Sequence, residues 1–357
     1  MYWILNKLFN MLITLFGVVS IVFFLFNILP GDPAQMMLGQ NENSEQLKII
    51  KQKYGFDKPI LVQYFYYLND LSPISIHSKD ENNISFITEK KYNYIIVREF
   101  KKNKFVIKLP YLRESYQKNG VLVSEIIKNT LPNTIILAFS SIIIAIFLGL
   151  FFGIFSALYK NTWVDYFIQI FSTIGMSIPS FFSAIIFAWI FGYLLNEYTG
   201  LNITGSLYEL DDFGENLTVQ YSNLILPSIV LGIRPVAVIS QMMRNSLLKE
   251  LSKNYIITAY SKGLSKYKVI RNHAFKNSLN PVITALSGWF ASMLAGSVFV
   301  EYIFGWNGLG KEIVDSLNTL DIPVLIGAVI TIAFIFILIN IFVDIIYSIL
   351  DPKINLD

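Results

Sequence analysis

Six apolar runs dominate this chain, each near the ~20 residues with which an α-helix crosses a bilayer. They fall at about 8–28, 134–159, 166–195, 224–243, 282–300 and 323–350. Their number and length predict an all-α polytopic membrane protein of six transmembrane helices. Composition agrees: only 15% of residues are charged, against ~25% in soluble domains. There is no cysteine, which excludes disulfides, a thiolate metal site and a cysteine nucleophile. The run at 8–28 lacks a small-x-small cleavage site and reads as a retained span. The third run contains Pro179 and is expected to tilt or kink; the fourth carries Pro227 and Pro235.

Charge placement orients the chain. Lys7, Lys160, a basic cluster between 244 and 276, and Lys353 fall on one side. The short loops 196–223 and 301–322 hold only Lys311 against Glu197, Glu209, Asp211, Asp212, Glu215, Glu301, Glu312, Asp315 and Asp321. The positive-inside rule then places both termini in the cytoplasm, while the long loop after the first span translocates whatever its charge. Three regions follow: 1–29, the N-terminus and first span; 30–127, an extracytoplasmic loop; and 128–357, a five-helix core. Within the loop, KYNYIIVREFKKNKFVIKLPYL alternates apolar and polar residues and predicts short strands in a small extracytoplasmic insert. Glu125–Pro132 reads as an interfacial helix ending near the proline.

The basic segment Arg244–Pro281 lies between spans four and five, with Lys or Arg at 244, 249, 253, 262, 266, 268, 271 and 276 and a single acid, Glu250. Ser246–Lys262 has helical composition and Gly263 breaks it. Ser265 is placed to cap a second helix running from Lys266 to about Leu279, with Tyr267, Ile270, Ala274 and Phe275 near one face, and Pro281 opens the next span. Physically, such a segment either lies on anionic headgroups or docks on a cytoplasmic protein.

The stretch Tyr255-Ile-Ile-Thr-Ala-Tyr-Ser-Lys-Gly-Leu264 resembles the signature loop of binding-protein-dependent ABC importer permeases, written Glu-Ala-Ala, three residues, Gly. Ile257-Thr258-Ala259 and Gly263 match the variant of the dipeptide/oligopeptide/nickel branch, with Ile257 where the family has Glu. That branch continues through a run matched by His273-Ala274-Phe275-Lys276-Asn277 to Pro281. Leu29-Pro-Gly-Asp-Pro-Ala34, Pro59-Ile-Leu-Val-Gln-Tyr64, Ile178-Pro-Ser-Phe181, Glu301-Tyr-Ile-Phe-Gly-Trp-Asn-Gly-Leu-Gly310 and Val343-Asp-Ile-Ile-Tyr-Ser-Ile-Leu-Asp-Pro352 extend the likeness to the branch's B-type subunit over nearly the whole chain. The insert at roughly 70–118 is longer than in compact members.

The resemblance implies a type I permease subunit in a bacterial inner membrane. Its partners would be a second homologous permease, two cytoplasmic ATPases and an extracytoplasmic binding protein, with no nucleic acid. ATP and Mg would be used by the ATPases, and this chain would bind no cofactor. The loop would sit in a groove on an ATPase, with Gly263 at the turn and Lys262, Lys266 and Arg271 facing acids there. Peptides are the expected cargo, with nickel or another small solute as the alternative. An autonomous secondary transporter would instead require inverted repeats and intramembrane acids, which the sequence lacks.

Four further features stand beside the loop. Gly305-Trp-Asn-Gly-Leu-Gly310-Lys311-Glu312 nearly spells a phosphate-binding loop, but Glu stands where Ser or Thr would hold Mg²⁺ and no strand precedes it, so its glycines are expected to shape the turn into a short helix around 311–319. Arg234 lies about ten residues into span four. A charge at that depth costs ~2.5–3.5 kcal/mol on insertion scales, so it is expected to face either the substrate pathway or a structural partner. Asp344 is expected to pair locally. His77 and His273 lie far apart, and no metal site is expected.

Overall fold

The computed structural model describes residues 2–28, 32–38, 44–80, 83–87, 94–118, 120–210 and 214–350. In chain order the elements are α1 (Tyr2–Ile28), α2 (Pro33–Leu38), α3 (Ser44–Tyr54), α4 (Ile60–Leu71), β1 (Ile74–Ser78), β2 (Tyr94–Glu99), β3 (Asn103–Lys108), α5 (Val123–Leu158), α6 (Trp163–Ser177) and α7 (Ser180–Phe187). A π-helical turn (Ala188–Leu194) leads to α8 (Asn196–Thr199), β4 (Tyr208–Leu210), β5 (Leu217–Val219), α9 (Ser222–Leu251), α10 (Asn254–Ser261) and α11 (Lys266–Val269). A second π-helical turn (Ile270–Ala274) precedes α12 (Phe275–Gly296), α13 (Val298–Phe304), α14 (Leu309–Asn318) and α15 (Ile322–Leu350).

Among the described residues four helices are long and apolar enough to cross a membrane, α1, α5, α9 and α15, and a fifth span is formed if α6 and the helix from Ser180 to Leu194 count as one. That pair bends by 109° at the Ile178-Pro179 step. Pro179 has no N–H to continue the ladder and holds its predecessor extended, which is the kink the third apolar run predicts. The sixth expected span, 282–300, falls on α12 and the start of α13, where the side chains at 284, 285, 287 and 291 lie outside the described ones, and it is not among the five.

The prolines do less elsewhere than the sequence leads one to expect. Glu125–Pro132 is not a separate interfacial helix: α5 runs unbroken through Pro132. α9 continues through Pro227 and Pro235, and α12 through Pro281. A membrane helix tolerates a proline where neighbouring helices, hydroxyl side chains or ordered water satisfy the freed carbonyls.

The chain divides into two compact units. One comprises Asn10–Asn129 and Glu312–Ala333. Its core gathers Val19, Val22 and Phe23 of α1, Tyr64 and Tyr67 of α4, Tyr116, and Ile322 and Ile326 of α15. β1, β3 and β2 form an antiparallel sheet in that spatial order, with Ile74 opposite Ile107 and Ile107 opposite Ile95. Ser75, His77, Val106 and Lys108 are buried, whereas Ile74, Ile76, Ile95 and Ile107 are exposed. His77 bonds Ser75 Oγ at 3.0 Å through Nε2 and Ser85 O at 2.8 Å through Nδ1, so both ring nitrogens are engaged. The Lys108 ammonium donates to the carbonyls of Asn69, Asp70 and Ser72 at the end of α4, satisfying groups the helix leaves open. Arg113 Nε meets Asp70 at 2.8 Å.

The other unit comprises Met1–Phe9, Thr130–Lys311 and Phe334–Asp357. Its core has two parts. Leu137, Ala138, Leu226, Val230, Met293, Leu294, Phe304 and Trp306 form one. Ile239, Met243 and Leu247 of α9 form the other with Ile256, Ala259, Val269, Ala274 and Val282. α5 and α9 approach closely: a Cβ on Gly149 would stand 2.7 Å from Ile239, and one on Gly153 2.6 Å from the Ser240 carbonyl. This spacing of small residues lets two apolar helices pack at backbone distance. Of the tail motif, residues 351 and 352 and the side chains from 344 on, Asp344 included, lie outside the described residues, as do Leu29, Pro30 and Gly31 of the first motif.

Candidate coupling loop

The predicted helix over Ser246–Lys262 is two helices. α9 ends at Leu251, Lys253 is extended, and α10 starts at Asn254. Glu250, the acid of this basic segment, makes the corner. Its carboxylate is largely buried and accepts from Tyr255 Oη at 2.6 Å and from Lys253 Nζ. Asn277 Nδ2 of α12 then donates to Tyr255 Oη at 3.1 Å. Three helix ends therefore meet on one phenol. Burial and the bond to Glu250 raise the Tyr255 phenol, and the same carboxylate raises the Lys253 ammonium.

α10 is terminated by a left-handed residue. Gly263 has φ +77°, its N–H reaches the Tyr260 carbonyl at 2.9 Å, and the Leu264 N–H reaches back to Ala259 at 3.3 Å. This is the Schellman arrangement, in which the residue after the cap takes a conformation that costs any side chain ~1–2 kcal/mol. No atom lies within 4 Å of a Cβ placed there, so backbone conformation alone demands glycine. Ser265 occupies the expected N-cap position of α11, yet the bond it supplies is from its carbonyl, which accepts the Val269 N–H at 3.0 Å; its hydroxyl makes no cap. The second helix does not end near Leu279 but passes through the π turn into α12.

The loop has an inner and an outer face. Ile256, Ala259, Val269 and Ala274 are buried against α9. Ile257 (59% exposed), Thr258, Tyr260, Lys262, Gly263, Lys266, Tyr267 and Arg271 face outward, and His273 is half-buried. Arg271 stands over the Tyr267 ring at 6.0 Å. Lys262, Lys266 and Arg271 make no ion pair among the described residues. Every predicted loop residue except Ala259 and His273 is thus exposed.

Arg244, the first basic residue of the segment, is paired. It grips Asp165 of α6 with Nε and Nη2, both at 2.7 Å. Asp165 also accepts from Ser156 Oγ, from the Asn161 N–H at 2.9 Å and from Gln169 Nε2 at 2.9 Å. Its one sequence signal was an acid standing alone beside Lys160 in a short turn. Arg234, by contrast, is exposed on α9 and makes no ion pair among the described residues.

The glycine-rich stretch after α13 has a local explanation. Gly305 takes φ +64° to end α13, and α14 begins at Leu309. The N–H groups of Gly310 and Lys311, at the start of α14, donate to Glu301 Oε2 at 2.7 and 3.2 Å, and Ser297 Oγ donates to Oε1 at 2.8 Å. A Cβ on Gly308 or Gly310 would come within 2.4 or 2.8 Å of that carboxylate. The acceptor at this helix N-terminus is the chain's own buried glutamate side chain, which fills the place a phosphate would take. Among the described residues no group of His, Asp and Glu side chains is placed to hold a metal.

Over residues 149–356 the chain matches the family described as binding-protein-dependent transport system inner membrane component, and over residues 1–85 the N-terminal region of such membrane components. The chain belongs to this family and is a multi-pass membrane protein. It is 31% identical to the dipeptide transport system permease protein DppB of Alkalihalophilus pseudofirmus, over 98% of each chain. It is 30% identical to the protein of the same name from Lactococcus lactis subsp. cremoris, over 99% of each. Its fold is like that of a solved inward-facing structure of the MetNI methionine ABC transporter, with a TM-score of 0.51 and 14% identity over 64% of this chain and 97% of that one.

Proposed function

We propose that this chain is the translocation subunit of an ATP-driven importer of di- and oligopeptides. The observation that carries the reading is the outward face of α10 and α11, with Ile257, Tyr260, Lys262, Lys266 and Tyr267 presented on a rigid backing. End-to-end likeness to dipeptide permeases supports the cargo. In this reading both termini and the loop are cytoplasmic, α12 completes a sixth span, and the sheet of β1, β2 and β3 stands outside. Two ATPase subunits, a second homologous permease and an extracytoplasmic binding protein complete the machine.

The mechanics follow from the packing. Apolar Ile257 and the tyrosines enter a groove on the ATPase, and Lys262, Lys266 and Arg271 meet acids at its rim. When ATP closes the two ATPases, the push on α10 passes through Ile256 and Ala259 into α9, and through the continuous Lys266–Gly296 path into α12, rocking the spans between inward and outward openings. ATP and Mg²⁺ are used in the partner subunits. Arg234 faces the substrate pathway and attracts a peptide carboxylate. An unpaired charge on a span is unfavourable against lipid, and a polar pathway removes that cost.

Affinity purification of the tagged protein from solubilised native membranes, followed by mass spectrometry, tests the assembly. Recovery of two ATPases and a second permease is expected, and the co-purifying binding protein then reports the ligand. Recovery of the chain alone, in a detergent that preserves such complexes, contradicts the reading and favours an autonomous transporter.

A further inference from the structure

α4 is a short helix, IleLeuValGlnTyrPheTyrTyrLeuAsnAspLeu, that is apolar nearly all round. One face is spent on the protein: Tyr64 and Tyr67 are buried against α1. Its polar residues are spent as well. Gln63 Nε2 donates to the Lys58 carbonyl, Asn69 both donates to and accepts from the backbone of Ile76, and Asp70 holds Arg113. The remaining face carries Leu61, Val62 and Phe65, exposed by 59, 38 and 67%. A helix apolar on both sides in a folded chain needs a second apolar neighbour.

The depth of α4 identifies that neighbour. Tyr64 Oη meets Ser20 Oγ of α1 at 2.5 Å, and the Tyr64 and Tyr67 rings pack on Phe23 at 5.3 and 5.4 Å. α1 ends at Ile28, so Ser20 lies ~12 Å below the end of the helix at ~1.5 Å per residue. That is inside the apolar stretch Phe9–Asn27, whose own exposed residues include Ile21 and Leu25. A helix held beside Ser20 and Phe23 is held at hydrocarbon depth.

We propose that α4 is seated in the leaflet from which the C-terminal end of α1 emerges, with Leu61, Val62 and Phe65 against lipid acyl chains. A cleft of about 420 Å³ lies beside it, apolar at Val62, Phe65 and Ile76 and otherwise lined by polar groups, among them Asn69, Asn83 and Asn103. α4 then anchors the sheet insert to the bilayer surface. The inference rests on α1 spanning a bilayer and not on which solute is carried.

The cysteine-free sequence makes the test direct. Leu61→Cys and Phe65→Cys, with Ile21→Cys on α1 and Lys101→Cys on the β2–β3 turn as references, are labelled with a nitroxide. The full complex is reconstituted in vesicles, and collision with oxygen and with a water-soluble nickel chelate is measured by electron paramagnetic resonance. The oxygen-to-nickel ratio at 61 and 65 is expected to shift up to the Ile21→Cys value. A ratio equal to that of Lys101→Cys overturns the proposal, as does shielding from both colliders, which would mean that protein covers the face. ATP-driven uptake by the same vesicles reports folding and the import reading separately.

Discussion

Arg244 and Asp165 face each other as fork to fork, 79 residues apart in sequence, with a carboxylate that is only 1% exposed. The pair ties α9 to the first turn of α6. Removing one member of a buried, hydrogen-bonded pair typically costs ~3–5 kcal/mol, because the other charge is left uncompensated.

Asp165→Asn and Arg244→Ala are therefore expected to lower the thermal midpoint of the purified protein substantially. Arg244→Lys should recover only part of the loss, since an ammonium cannot bond both carboxylate oxygens in parallel. Equal stability of Arg244→Lys and the unsubstituted protein in a thermal-shift assay would show that the fork geometry contributes nothing.

At Gly263 the expected effects are graded. Gly263→Ala should cost ~1–2 kcal/mol of local stability through its positive φ. Gly263→Pro also deletes the N–H that meets Tyr260, and should leave membrane insertion intact while abolishing ATPase binding. Normal transport by the proline variant would remove the loop from the mechanism.

Glu301 and the glycines around it form a double-mutant cycle. Gly308→Ala should destabilise the protein by ~1–3 kcal/mol through overpacking against the carboxylate. Combined with Glu301→Ala, the alanine at 308 should cost less than it does alone, the contact left being Thr134 Oγ1 at 2.7 Å. Strict additivity of the two losses would place the clash elsewhere.

The insert should respond to pH in a signed way. Burial pushes His77 below its usual value and Lys108 down to about 8 from 10.5. In both windows the unfolded segment binds more protons than the folded one, so stability rises with pH. It should fall as pH drops below about 6.5, the ordinary histidine value, and rise between about 8 and 10.5. Hydrogen-exchange protection of β1 and β3, corrected for intrinsic exchange, measures this. His77→Gln should remove the lower window and keep the upper one; an unchanged acid-side loss in that variant would assign it to another group.

Arg234→Ala is expected to reduce uptake of carboxylate-bearing substrates more than it reduces assembly of the complex. Equal loss of both would make Arg234 a structural residue.

The spans and the bend at Pro179 were legible because length, apolarity and a missing N–H act locally. Gly263 was legible for the same reason: a glycine after a helical run is where a left-handed cap falls. Pro132 and Pro281 misled, because a proline's effect on a helix depends on what surrounds the freed carbonyl, which local sequence does not contain. Asp165 and Arg244 were missed because their pairing is tertiary, and Arg244 looked like one more orienting charge. Glu301 is legible as an acid outside the membrane and as the first residue of the Glu301–Gly310 motif; that its carboxylate folds back onto the start of α14 depends on Gly308 and Gly310 leaving room for it. The corner at Glu250 escaped notice because its partners, Tyr255 and Asn277, come together only once α10 has turned back onto α12.

In the proposed mechanism an ATPase pushes on the outward face of α10 and α11. Ile257→Cys, the sole cysteine in the chain, can be joined to cysteines introduced along the ATPase groove in the assembled importer. An efficient cross-link is expected that preserves binding of the ATPase and, with a short linker, blocks ATP-driven peptide uptake until it is reduced. Uptake at full rate, with no cross-link formed at Ile257→Cys from any position in the groove, would contradict it.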